Sequence, residues 1–420
     1  MDANHFMSHN IKIHNKEAYI FFILLLFSGL FLFLGGCRKK GTGQTNRVLT
    51  DVSLESYRLE LLDIAFDVAT AIPVHPHIKD RSLAQEKVVT TCIALKLVQR
   101  ADQYSRQIEN WRQGLCLAQL AHYCARQGEL QEAQDYVAQA TVIAAEAEDW
   151  RRDRIRAWIA KTHLILGRTE QADSFSVDLS DSEAGEVTQA RAEMSPIEDF
   201  DAQVEVLDTL IATGEYDKII NALRAYVRLL DRFYTNPERR QLIQSKIPAS
   251  WEKIPPSARI TLLIDQMEIA QNHDDPDMVR QYLQKAYEFL EVYPWRPEER
   301  LPIMAELVRW RFRIGEDQQA RSDAEVALAR FTEQGQRVVN IYKAEALYPM
   351  AETYHIMGNT TMALQVYQQA IEAALENPNS RPRAEDIAAI CCSMALHSFE
   401  PDSDMWQHLQ EIRQGLGDPW

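Results

Sequence analysis

From Glu109 onward apolar residues recur every three or four positions, in paired runs separated by a glycine. The stretches ENWRQGLCLAQLAHYCARQGELQEA (109–133) and EDWRRDRIRAWIAKTHLILGRTEQA (148–172) superimpose at an offset of 39: Trp111 on Trp150, Ala121 on Ala160, Gly128 on Gly167 and Ala133 on Ala172. This period lines one face of a helix with apolar side chains. The glycine supplies a positive-φ exit, and the small residues let the second helix approach the first. The same grammar returns in LVRWRFRIGEDQQARSDAEVAL (307–328), in MAETYHIMGNTTMALQVYQQAI (350–371) and in VLDTLIATGEYDKIINALRAYV (206–227). In DQMEIAQNHDDPDMVRQYLQKAYEF (265–289) Asp274 stands in the glycine's place. No strand-like alternation is sustained, so the pattern predicts an all-α fold of stacked antiparallel helix pairs.

The repeat is uneven. Second-helix anchors at Ala133, Ala172, Ile219, Val279, Ala320 and Ala363 lie 39, 47, 60, 41 and 43 positions apart. The excess falls in 174–199, which is polar and acidic and predicts a long loop or insert. More falls in 233–257, where Pro248, Pro255 and Pro256 flank a short helix and suggest a hinge. These features divide the chain into a repeat array at 54–232, the hinge, repeats at 258–400, and a terminal cap at 401–420. Residues 54–105 form a leading helix pair, interrupted by IPVHPHIKDRS.

Ahead of the repeats, Tyr19 to Gly36 carries no charge over eighteen residues, short for a membrane span and long for a signal-peptide core. Leu34-Gly35-Gly36-Cys37, which closes that run, resembles the bacterial lipobox. The resemblance implies a signal peptide over 1–36, lipid on Cys37, and a polar tether to residue 53. Several acyl chains, at about 0.8 kcal/mol per buried methylene, hold a protein on a bilayer where one would not. Arg38 rather than aspartate after the cysteine favours, by the family's sorting pattern, the outer membrane, with the body facing the periplasm. The cations Arg38, Lys39, Lys40 and Arg47 outnumber Lys12 and Lys16 upstream. That bias supports the alternative, an uncleaved inner-membrane anchor with a cytoplasmic body.

Charge narrows the partners. The 420 residues carry 61 acidic against 45 basic side chains, a net charge of −16, which opposes nucleic-acid binding and suits a basic partner. Six cysteines include no Cys-x-x-Cys pair. Cys92, Cys116 and Cys124 sit at small-residue positions of helices, and Cys391–Cys392 reads as helix packing. Phosphate-binding, dinucleotide, serine-hydrolase and zinc-protease motifs are missing. His75 and His77 lack a third metal ligand in the sequence. The expectation is therefore a protein with no cofactor and no metal.

The paired stretches, 350–371 above all, resemble tetratricopeptide repeats. The resemblance implies a right-handed superhelical solenoid that binds a protein or peptide in its concave groove. In that family, partner-contacting residues precede the second-helix alanine by fifteen, eleven, eight and seven positions. Before Ala133 these are Ala118, His122, Ala125 and Arg126, and before Ala172 they are Ala157, Lys161, Leu164 and Ile165. Ahead of Ala320 come Ala305, Arg309, Phe312 and Arg313, two arginines beside an aromatic that suit a peptide carboxylate. The set before Ala363 is Tyr348, Glu352, His355 and Ile356. The function implied is a non-enzymatic, membrane-tethered scaffold in envelope assembly. Two others stay open: an α/α-toroid carbohydrate-active lipoprotein, whose helices would close around a carboxylate-lined cavity, and a cytoplasmic adaptor.

Overall fold

The computed structural model describes residues 50–194 and 197–420, all belonging to one compact unit. Among them are nineteen α-helices, three short 3-10 turns and no strand. The sequence α1 (Ser56–Ala71), α2 (Val74–Ala94), α3 (Val98–Ser105), α4 (Arg112–Gln127), α5 (Leu130–Glu146), α6 (Asp149–Ile165) and α7 (Thr169–Ser176) opens the array. It continues through α8 (Asp181–Met194), α9 (Phe200–Ala212), α10 (Tyr216–Arg232), α11 (Pro237–Ala249), α12 (Pro256–Asn272) and α13 (Pro276–Val292). Its last members are α14 (Pro297–Arg313), α15 (Asp317–Gln334), α16 (Asn340–Ile356), α17 (Thr360–Leu375), α18 (Ser380–His397) and α19 (Ser403–Gln414). Successive even-numbered helices, α12 and α14 excepted, pack on one another as an inner layer, and the odd ones pack outside. Inner helices end where the chain takes positive φ, at Gly128, Gly167, Gly315 and Gly358. Asp274 at φ 54° adopts the same turn as the glycine it replaces, and Lys96 and Ser398 do so in the first and last units.

Two expectations need correction. The acidic stretch 174–199 is no loop, because most of it is the inner helix α8, which buries Gly185, Val187 and Ala192 between α6 and α10. Asp181 and Glu183 in its first turn complement the helix dipole, and its small residues permit close packing. Gly214 then ends an outer helix, α9, so α10 is an inner helix and Ile219 is no second-helix anchor. The 107 positions from Ala172 to Val279 hold three outer-helix steps, α7 to α9 to α11 to α13, each about as long as the regular repeats. The uneven spacing was a missed pair.

Gly185 makes that packing testable. A Cβ placed there would lie 2.6 Å from the Cβ of Asn221 on α10, nearer than two carbons can sit. Gly185→Ala is expected to cost about 1–3 kcal/mol through forced separation of α8 and α10. A denaturation midpoint equal to wild type would show that the helices are not this close.

Residues 233–257 also differ from a hinge. Asn236 caps α11 by accepting from the Arg239 amide, with proline at the first helical position. Ile243 and Ile247 are fully buried, and Trp251 meets the Phe289 ring at 5.1 Å. The segment is an outer unit packed like its neighbours.

The array closes head to tail. Helix α1 lies against α18 as an outer helix would, and α2 continues the inner layer beside α18. Leu61, Leu62, Ile64 and Ala65 of α1, with Ile387, Ile390 and Cys391 of α18, are wholly buried. Polar contacts fix the register. Tyr57 Oη donates to the Ser398 carbonyl at 3.0 Å, and Arg58 Nε to that of Ala395 at 2.8 Å. Helix α19 adds Gln410 to Glu60 at 2.6 Å and Arg413 to Asp67 at 2.7 Å. The C-terminal segment thus ties the first described helix to the last repeat rather than covering one free end. The five cysteines beyond Cys37 are buried and unpaired.

Candidate functional site

The inner helices identify their own concave stripe. Across 219–230 of α10 only Arg224 and Arg228 escape full burial, and across 259–270 of α12 only Thr261, Asp265 and Glu268 do. These positions recur at three- and four-residue intervals, one face of a helix. Contacts that skip a helix place such faces on the concave side. Arg126 on α4 donates to Glu193 on α8 at 2.8 Å, past α6. Lys87 on α2 lies 5.7 Å from the ring centroid of Tyr348 on α16, past α18.

Three of the residues singled out from sequence come together on this wall. His122 stands edge-on to Trp158 with ring centroids 5.1 Å apart and accepts from Arg126 Nε at 3.1 Å. Lys161 lies 3.6 Å over the Trp158 ring and donates to Glu186 at 3.2 Å. Burial, then the charges of Lys161 and Arg126, hold the His122 imidazole well below its usual pKa, so it is neutral. The cation on the indole face and the neutral imidazole at its edge form a polar-aromatic patch on α4, α6 and α8. Trp158 was missed because the transferred position fell one residue early, on Ala157, which is buried. Counting back one turn from Lys161 finds it. Glu186 and Glu193 were missed with α8.

A second group is not a groove at all. Arg309, Tyr348 and Glu352 are 5%, 7% and 8% exposed, contrary to their assignment as groove contacts. Arg309 ion-pairs with Glu306 and donates to Glu352 Oε2 at 3.1 Å, to Thr353 Oγ1 at 3.2 Å and to the Pro349 carbonyl at 3.1 Å. Ser393 Oγ donates to Glu352 Oε1 at 2.7 Å and lies 2.8 Å from Tyr367 Oη. This network joins α14, α16, α17 and α18. The arginine is turned inward because two buried carboxylates and a carbonyl satisfy its fork. His355 rests edge-on against Phe399 at 5.4 Å, and burial lowers its pKa. Phe312 is partly exposed, with Arg321 at 6.0 Å from its ring. Arg313 is exposed and lies 4.7 Å over Trp310, so its aromatic neighbour is Trp310 and not Phe312.

A third group, unmarked in the sequence, occupies α12. Asp265 and Glu268 sit one turn apart, and neither has a hydrogen bond or ion pair with any described residue. Burial raises the Asp265 pKa against the pull of Arg228 and Arg224. Burial and then Asp265 push Glu268 up to about 7.

Among the described residues no group of three or more His, Cys, Asp or Glu side chains is placed to hold a metal, and no helix is long and apolar enough to cross a membrane. Cys37 lies outside the described residues.

Residues 344–377 match the tetratricopeptide repeat family, covering most of α16 and all of α17. No curated protein matches the chain.

Proposed function

We propose that the chain is a non-enzymatic scaffold tethered to the bacterial envelope through lipid on Cys37, where it holds a protein partner during complex assembly. The observation that supports it most is the patch of Trp158, Lys161, His122 and Arg126 on the concave wall of a helical repeat array. Repeat arrays of this kind offer extended concave surfaces to other proteins, and a tryptophan under a lysine, with an arginine on the neighbouring histidine, has the composition of an interaction hot spot. Arg313 extends the same wall, and the acidic body favours a partner with basic surface.

A toroid hydrolase is the second reading, favoured by the closure of the helices and by carboxylates on the inner wall. Glycoside hydrolysis needs two carboxyl groups facing each other across the scissile bond. Asp265 and Glu268 instead share one turn of one helix, and the Glu306 side chain is fully buried against Arg309. Binding is the reading with more support.

Two measurements test the proposal. Cys37→Ser is expected to abolish radiolabelled palmitate incorporation and move the protein out of the membrane fraction; an unlabelled wild type ends the lipoprotein part. In vivo crosslinking with Arg126→Glu/Lys161→Glu is expected to reduce partner capture about tenfold or more. Capture equal to wild type would remove the patch from the partner surface.

A further inference from the structure

Because the array closes, its inner helices form a ring of joints, and the joints are unequal. At several of them a small residue lets the two backbones come together. A Cβ on Gly114 of α4 would lie 3.0 Å from Ile155 Cδ1 on α6, and Gly185 gives α8 its close approach to α10. The carbonyl of Ala305, the one small residue of α14, accepts from Thr353 Oγ1 of α16 at 3.1 Å. Helix α12 has no glycine, alanine or serine between Arg259 and Ile269. Its backbone and that of α14 make no comparable approach.

Side chains follow the same division. The contacts described above tie α4 to α6, α6 to α8, α14 to α16 and α16 to α18. Arg112 of α4 pairs with Glu86 of α2, and Arg381 of α18 with Asp80 of α2 at 3.3 Å. Gln189 of α8 donates to Asn221 of α10 at 3.4 Å, and His273 at the end of α12 lies 3.0 Å from Asp231 of α10. Among the described residues no hydrogen bond, ion pair or ring contact joins α12 to α14. The polar contacts across this joint are made from outside, by α13. Arg300 Nη1 of α14 donates to the Leu290 carbonyl at 2.6 Å and pairs with Glu291, and Tyr287 Oη donates to Asp323 of α15 at 2.9 Å.

We propose that this joint is a gate: the ring opens between α12 and α14, while the seam where α1 and α2 meet α18 stays shut. Opening here releases the contacts of Tyr287 and Arg300, hydrogen bonds and a half-exposed ion pair that water replaces at small cost. The link 293–296 between α13 and α14 is the hinge. The seam is closed by two helices on α18. Parting it would strip both away and bring Leu61, Leu62 and Ile64, wholly buried, into water. A partner segment without a free end cannot be threaded into a closed ring. Through the gate it reaches the wall of Trp158 and Lys161 sideways. That use of the gate rests on the scaffold reading above; the opening itself does not.

The test is the distance between paired spin labels on the full-length protein in detergent micelles. Cys37→Ser is the background, because the other five cysteines are buried. Labels at Gln281→Cys/Ser322→Cys, both exposed, straddle the gate on α13 and α15. Labels at Ala71→Cys/Gln414→Cys, also exposed, straddle the seam on α1 and α19. The gate pair is expected to show a second, longer distance and the seam pair a single one. Adding Tyr287→Phe/Arg300→Gln is expected to raise the share of the longer gate distance about fivefold or more. The seam distance stays unchanged in that variant, which shows that the chain is folded. Arg321→Gln, which frees the Met357 carbonyl at the next joint, is expected to leave the gate distances as they are. A single gate distance with and without Tyr287→Phe/Arg300→Gln, or a second distance at the seam, overturns the proposal. If the gate opens while Arg126→Glu/Lys161→Glu leaves partner capture unchanged, the scaffold patch falls and the gate stands. If the gate never opens while capture is lost, the gate falls and the scaffold reading stands.

Discussion

Leu61→Ala in α1 will speed amide exchange in α18 and α19, more than 300 residues away along the chain. In an open repeat array each unit touches only its neighbours, and a lesion in the first helix frays the first repeat. Here α1 is the outer partner of α18, so its loss is felt at the other end. Leu61 has no exposed surface, and truncating such a leucine costs about 2–5 kcal/mol by lost transfer energy plus the cavity left behind. Deleting residues 50–71 removes Leu61, Leu62, Ile64, Phe66 and Val68 together, all at most 3% exposed. At about 1.5–3 kcal/mol each, that burial rivals the whole stability of an ordinary domain. The deletion is therefore expected to yield chains whose α16 to α19 exchange as though unfolded. Hydrogen-exchange mass spectrometry reads both variants. Deprotection confined to α1 and α2 would show that the ends are not coupled.

That closure was not legible in the sequence, and the reason is physical. Periodicity reports which face of a helix is apolar, and α1 has an apolar face whether its partner is α2, α18 or both. Composition names no partner 337 positions away, the separation between Arg58 and Ala395. What local pattern does encode was read well: the glycine exits, the left-handed turn at Asp274, the helix pairs and the buried cysteines. The acidic helix α8 failed for a different cause. Its buried face carries one large apolar side chain, Val187, beside Gly185, Ala192 and the polar Glu183 and Gln189, so its apolar periodicity is faint although its packing is tight. The candidate site was legible only in part. Transfer by position found His122, Arg126 and Lys161, yet it could not tell an arginine facing solvent from Arg309. Burial and pairing depend on α16 and α18, which lie in other repeats.

Arg309→Ala is expected to cost about 3–5 kcal/mol, because it strands two carboxylates in the interior without the cation that compensates them. Glu306 and Glu352 are 0% and 8% exposed, so water cannot take the guanidinium's place without opening the packing of α14 on α16. Replacing the charged set together, as Glu306→Leu/Arg309→Met/Glu352→Leu, is expected to cost less than the single change, since no buried charge is then left unpaired. That ordering separates a compensated network from three independent contacts; a triple variant less stable than Arg309→Ala would sink it. The pH dependence carries the same signature. Burial alone would raise the Glu306 pKa, but the charge and hydrogen bond of Arg309, helped by Arg313 and His397, bring it below the ordinary 4.5. A carboxylate depressed in the folded state stabilises fully above its unfolded pKa, and that contribution disappears as pH falls through the folded value. Wild type should therefore lose stability below about pH 4.5. Glu306→Gln should start lower at pH 7 and show a shallower acid limb. The check is a denaturation midpoint followed from pH 7 to pH 3, where parallel limbs would mean that Glu306 is not held ionised by Arg309.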